Sequence, residues 1–144
     1  GLEERVKGGD FIDLDGNVLG QHEGYPFYTV GQRKGLGIAM GDPRYVIRIN
    51  PSDNTVVLGK KEDLKRQQMK VRNPNLVKYE SLPEGMELLT KVRYKDRGTM
   101  SELSVNTEGE IVVDFAQEVK GIAPGQSAVF YEGKDLVGGG FISQ

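Results

Sequence analysis

Turn signals recur about every ten residues through the second half of this chain. They are Pro83-Glu84-Gly85, Asp96-Arg97-Gly98, Glu108-Gly109, Pro124-Gly125 and Gly133. Glycine supplies the φ > 0 positions that tight turns need, and Pro presets the residue before them. Runs between such turns are too short for helices and long enough for strands. The strand candidates are Lys70–Arg72, Leu88–Tyr94, Met100–Val105, Ile111–Phe115, Ser127–Tyr131 and Asp135–Ile142. Short strands at even spacing predict a small antiparallel barrel. Gly138-Gly139-Gly140 falls inside the last candidate and predicts a kink where the barrel turns a corner.

The first half is less regular. Asp15-Gly16 between two apolar runs predicts a β-hairpin over residues 9–21. Strands are expected at Arg44–Ile49 and Thr55–Leu58, joined by turn residues Asn50–Asn54. Two short helices are expected, one near Val30–Gly35 and one near Glu62–Gln68. The expected fold is mainly β: a small α/β domain over residues 1–70, then a six-stranded antiparallel β-barrel over 71–144, resembling translation-factor barrels. The break is expected around Asn73-Pro74-Asn75.

Composition narrows the chemistry. The 144 residues can bury a core without staples. With no cysteine there is no disulfide, thiolate metal site or thiol nucleophile in this chain. The single histidine, His22, excludes a multi-histidine metal site. Nineteen basic and 21 acidic residues give a net charge of −2, so no global field attracts nucleic acid. Any such contact must come from a local cluster. No apolar run approaches the roughly 18 residues of a membrane helix. The opening Gly1-Leu2-Glu3-Glu4 reads as the inside of a longer protein or as a cloning scar, and no basic-then-apolar leader is visible there.

Three clusters are candidates for binding. Gly31–Gly37 sets Arg33 and Lys34 between glycines, next to Tyr25, Phe27 and Tyr28. Glycines allow close approach of backbone to a ligand, and Arg and Lys bind phosphate, although the spacing of a Walker loop is absent. A solvated turn carrying two cations fits the same residues. On an extended strand, Lys91, Arg93 and Lys95 share one face, with Tyr94 brought to the rim by twist. That stripe could track an RNA backbone or be an ordinary solvent face. Gln126, exposed after Pro124-Gly125, could both donate to and accept from a base, or simply be solvated. His22 reads as a hydrogen-bonded structural residue, since no GxSxG nucleophile motif accompanies it. Asp13 and Asp15 read as turn-capping residues.

Longer words carry a resemblance. Gly16–Gly24, Tyr28–Ile38 with Gly31-Gln32-Arg33-Lys34-Gly35-Leu36-Gly37 at its centre, and Tyr45-Val46-Ile47 resemble the central region of bacterial tRNA-specific 2-thiouridylases. Lys91–Tyr94, Pro124–Tyr131 and Gly138–Ile142 are similar, in order, to that family's C-terminal barrel. The resemblance implies an enzyme that adenylates the tRNA wobble uridine with ATP and magnesium, then delivers sulfur from a cysteine persulfide. It places ATP and magnesium in an N-terminal domain with an SGGxDS-type loop, which this sequence lacks, as it lacks the two cysteines. The chain alone is therefore expected to be inactive, with no catalytic or metal-binding residue and no cofactor of its own. Its implied task is gripping tRNA through Arg93, Tyr94 and Gln126, with Arg33 and Lys34 in the central loop. A sulfur-relay protein is a further implied partner, and a monomeric, cytoplasmic protein without membrane attachment is expected. A stand-alone RNA-binding barrel, or a module that docks a protein partner, stays open beside this reading.

Overall fold

The computed structural model describes residues 7–38, 41–93 and 95–143. The chain divides into two compact units, Gly1–Leu64 and Lys65–Gln144, each with its own sheet and core.

In the first unit β1 (Gly9–Ile12) and β2 (Val18–His22) form the expected hairpin. Asp13 closes it: Oδ1 accepts the backbone N–H of Asp15 and of Asn17, both at 2.9 Å, and Oδ2 accepts Asn17 Nδ2. The two bonds from Asn17, backbone first and side chain second, hold the Asp13 carboxyl below its ordinary value. A second hairpin pairs β3 (Tyr45–Asn50) with β4 (Thr55–Gly59). Strand order is β2-β1-β4-β3, with β1 parallel to β4. Central β4 is flanked on both edges, and its run Val56-Val57-Leu58 is fully buried, as a strand covered on both faces requires. Phe11, Leu36, Val46, Val56 and Leu58 make the core.

The expected α/β character of this unit is not found. Among the described residues there is no α-helix, only single 3-10 turns at Tyr25–Phe27 and Lys61–Asp63. Around Val30–Gly35 the backbone bonds outward instead. Gly31 N–H reaches Val46 O at 2.7 Å, and Val46 N–H reaches Gln32 O at 2.9 Å. Gly31 and Gly35 sit at φ +92° and +75°, which breaks any helical run. Over Glu62–Gln68 the polar run has no apolar face to bury. Only its first residues turn, with the Asp63 carboxylate accepting Lys60 N–H, while Gln67 and Gln68 already pair with Phe115 and Asp114.

The second unit is the expected closed antiparallel barrel, ordered β10-β5-β8-β7-β6-β9. Its strands are β5 (Gln67–Leu76), β6 (Met86–Lys91), β7 (Thr99–Val105), β8 (Ile111–Phe115), β9 (Ser127–Glu132) and β10 (Asp135–Ile142). Alternate residues point inward, so Leu88, Leu103, Ile111, Val113, Phe115, Phe130 and Val137 fill the interior. Among the described residues of this unit Thr90, Thr99 and Ser101 are also buried. Thr90 Oγ1 and Ser101 Oγ lie 2.6 Å apart, and Ser101 Oγ donates to Leu88 O, so both hydroxyls are satisfied.

The Gly138–Gly140 kink is present, with pairing irregular between Leu136 and Gly138 and again between Gly139 and Phe141. A Cβ on Gly140 would stand 2.5 Å from Val71 Cγ1 and 2.8 Å from Arg72 O, so bare backbone is needed where β10 crosses β5. The expected break at Asn73-Pro74-Asn75 instead lies inside β5, where Asn73 takes φ +51° opposite that irregularity. Pro74 is tolerated at such a bulge because no ladder donor is required there. The division falls after Leu64 rather than after residue 70.

Candidate nucleic-acid interface

The cationic stripe expected on one strand face is not formed. β6 ends at Lys91, because Asp96 closes a turn directly after it. Its Oδ2 accepts Val92 N–H at 3.0 Å, its Oδ1 accepts Gly98 N–H at 2.9 Å, and its own N–H bonds Arg93 O. Val92 is buried in the barrel core, while Arg93 is exposed on the turn. The strand ladder therefore ends before Arg93, although Val92 inward and Arg93 outward keep the alternation of β6, and the Lys91 ammonium lies 5.0 Å from the centre of the Tyr131 ring. Tyr94 lies outside the described residues.

Arg93 and Gln126 nevertheless each bond to one loop. Arg93 Nη1 donates to Lys120 O at 2.8 Å. Gly121 lies directly beneath the guanidinium; a Cβ there would fall 2.3 Å from Nη1, and its φ of +75° also favours glycine. Five residues later the loop closes on Gln126, whose Oε1 accepts Ala123 N–H at 3.0 Å. The same turn is fastened to β10 by Gly125 N–H to Ile142 O and Ile142 N–H to Gln126 O. Val119 and Ile122 seat the loop on the core, and Gln67 Oε1 holds Val119 N–H at 2.7 Å. Gln126 is thus more specialised than its sequence predicts. Its oxygen accepts within the turn, and the Nε2 donors of this half-buried side chain suit an acceptor: a phosphate, a ribose or a base carbonyl.

Sequence reasoning missed the backing of this loop, Gly121 and Gln67. The glycine in Lys120-Gly121 was a visible signal, but nothing local ties it to Arg93.

In the first unit Arg33 and Lys34 are exposed on a loop that Gln32 organises. Gln32 Oε1 accepts Thr29 N–H, and its Nε2 donates to Lys34 O at 2.9 Å. Leu36 pins the loop to the core. His22 is 4% exposed and structural in its contacts, with Nε2 2.8 Å from Asn54 O and Nδ1 accepting Gly24 N–H. At the β9–β10 hairpin, Lys78 Nζ bridges Glu132 Oε1 and Asp135 Oδ2 at 2.6 and 2.7 Å. Tyr79 OH also donates to Glu132.

Among the described residues no cluster of three or more His, Cys, Asp or Glu could hold a metal. None of the described helices is long and apolar enough to cross a membrane.

Two family models match in succession: the tRNA methyl transferase PRC-barrel domain over residues 2–60 and the aminomethyltransferase beta-barrel domain over 66–142. The chain is 54% identical over 144 residues to a tRNA-specific 2-thiouridylase of Cytophaga hutchinsonii, covering 99% of this chain and 39% of the relative. It is 53% identical to that of Amoebophilus asiaticus, with 98% and 38% covered, and 44% identical to that of Salinibacter ruber, with 100% and 38% covered.

The chain belongs to the tRNA-specific 2-thiouridylase family. It spans about 39% of the length of these curated relatives. The first match falls within the first unit and the second within the second, and Arg93, Lys120 and Gln126 all lie in the barrel match.

Proposed function

We propose that this chain is the C-terminal, tRNA-gripping part of an ATP-dependent 2-thiouridylase that sulfurates the wobble uridine. What supports the reading is the joint fastening of Arg93 and Gln126 to the Lys120–Gln126 loop. A cation and an amide donor hydrogen-bonded to one loop suit a ribose-phosphate backbone. Tyr94, next to Arg93, belongs to the same proposed contact, and Arg33 with Lys34 to a second one. Holding the tRNA in register at a distant reacting centre can contribute several kcal/mol to catalysis.

ATP and magnesium are placed outside this chain, whose sequence carries no SGGxDS-type loop. Those groups would act elsewhere in the enzyme, in the cytoplasm, where a sulfur-relay protein would supply the persulfide. The enzyme would work as a monomer.

The test grafts this chain onto the Cytophaga hutchinsonii relative in place of its own matching segment. tRNA binding is then measured at several salt concentrations, with and without Arg93→Ala. The variant should bind about 5- to 10-fold more weakly, with a log–log salt slope lower by roughly 1 and an unchanged melting temperature. Unchanged affinity and slope would remove Arg93 from the interface.

A further inference from the structure

On the outer wall of the barrel, where β10 runs between β5 and β9, lies a groove of about 340 Å3. Its floor is Gly138-Gly139-Gly140, three successive residues with no side chain to fill it. Val77, Leu136 and Phe141 line it while keeping 59%, 48% and 45% of their surface exposed. Polar groups line it as well, Asn73 and Asn75 from β5 and Ser127 from β9. Among the described residues no hydrogen bond occupies the Asn73 or Asn75 side-chain amide, so each is free to donate and accept. The Arg72 guanidinium lies 5.8 Å from the centre of the Phe141 ring and has no carboxylate partner among the described residues.

The volume sits at the lower end of the roughly 300–1,000 Å3 of small-ligand sites, which suits one planar group. An aliphatic side chain would use the apolar rim and leave the two amides and the cation idle. A nucleobase uses all of them, with a π face for the ring and the guanidinium and a polar edge for the amides. The groove also adjoins Gln126. Ser127 follows it in sequence and pairs with Phe141, and Ile142 N–H bonds Gln126 O. An RNA strand held at Gln126 therefore lies one residue from the groove.

We propose that this groove takes one unstacked base of single-stranded RNA, its ring against Phe141 and its polar edge to the Asn73 and Asn75 amides. The source of that RNA rests on the tRNA reading above.

Single-stranded hexauridylate is titrated into the 144-residue chain while the amide resonances of Gly138, Gly139 and Gly140 are followed by NMR. An abasic hexamer of the same charge is the control. The expected result is saturable shifts with hexauridylate and about tenfold weaker binding of the abasic strand. Phe141→Leu keeps an apolar side chain and removes the π face. It should weaken hexauridylate about 5- to 10-fold, with the abasic strand and the melting temperature unchanged. Phe141→Tyr, which keeps the ring, should retain the binding. Equal affinity for the two strands, or full hexauridylate affinity in Phe141→Leu, overturns the site. Glycine shifts that follow protein concentration alone identify a second copy of this chain as the occupant, and overturn it too. The comparison of the two strands uses the parent chain, so it decides even where Phe141→Leu fails to fold. Arg93→Ala in the grafted Cytophaga enzyme separates this site from the tRNA reading. Unchanged tRNA affinity there, beside base-dependent glycine shifts, upholds the groove and removes the Arg93 grip. Weakened tRNA affinity without base-dependent shifts overturns the groove and leaves the grip standing.

Discussion

Both ring nitrogens of His22 are engaged, and their partners fix its tautomer. Nδ1 accepts Gly24 N–H, so the proton sits on Nε2 and is donated to Asn54 O. Asn54 is a hub in turn, with its Oδ1 taking Tyr25 N–H and its backbone at φ +56°. The ring packs edge-on against Phe11 and Tyr28, at 5.3 and 5.4 Å. His22→Ala should destabilise the first unit by about 2–4 kcal/mol in denaturant melts, since it opens a cavity and orphans two buried backbone groups. A loss under about 0.5 kcal/mol would contradict this placement. Around Glu132 the prediction is a pH dependence. The Lys78 ammonium first, then the Tyr79 hydroxyl, holds its carboxyl below the ordinary 4.5. A carboxyl lowered in the folded state stabilises at pH above its unfolded value and loses that contribution as pH falls through its folded one. Glu132→Gln should therefore lower the melting temperature at neutral pH. The difference from the parent chain should shrink as pH drops below 4.5, where a constant difference would count against the clamp. The structural assignment of His22 follows from the sequence, where no nucleophile accompanies it. The hub at Asn54 does not, because a left-handed asparagine in a turn looks the same whether its side chain is used or idle.

At the scale of elements, close approach explains what the glycines do. Gly140→Ala should cost about 2–3 kcal/mol, because its Cβ would meet Val71 and the Arg72 carbonyl in a packed wall. Gly109→Ala, at φ +79° with open space around it, should cost only about 1 kcal/mol of backbone strain. Equal costs in thermal melts would show that β10 can shift away from β5. The barrel strands are legible because β8 and β7 up to Ser104 alternate buried and part-exposed positions, and glycine turns mark their ends. The short helices fail for a physical reason: between Val30 and Gly35 hydrogen bonds to β3 outcompete a two-turn helix that has no tertiary partner. The β6 stripe fails because strand periodicity carries no sign of where Asp96 ends the strand.

For the whole chain, family and barrel are readable from long words such as Gly31–Gly37 and Pro124–Tyr131, while loop closure is not. Arg93 bonds Lys120 O and Gln126 bonds Ala123 N–H, on a loop distant in sequence from Arg93 that enters no motif with it. With neither cysteine nor phosphate loop, the isolated chain should transfer no labelled sulfur to tRNA with ATP present, and turnover above a protein-free control would contradict that. The most direct measurement of tRNA gripping is steady-state thiolation by the grafted Cytophaga enzyme, with Arg93→Ala compared against its parent. A gripping residue predicts a KM for tRNA raised about 5- to 10-fold with kcat within about twofold. A fall in kcat at unchanged KM would contradict the account, because it would put Arg93 in the sulfur-transfer step instead of in the hold on tRNA.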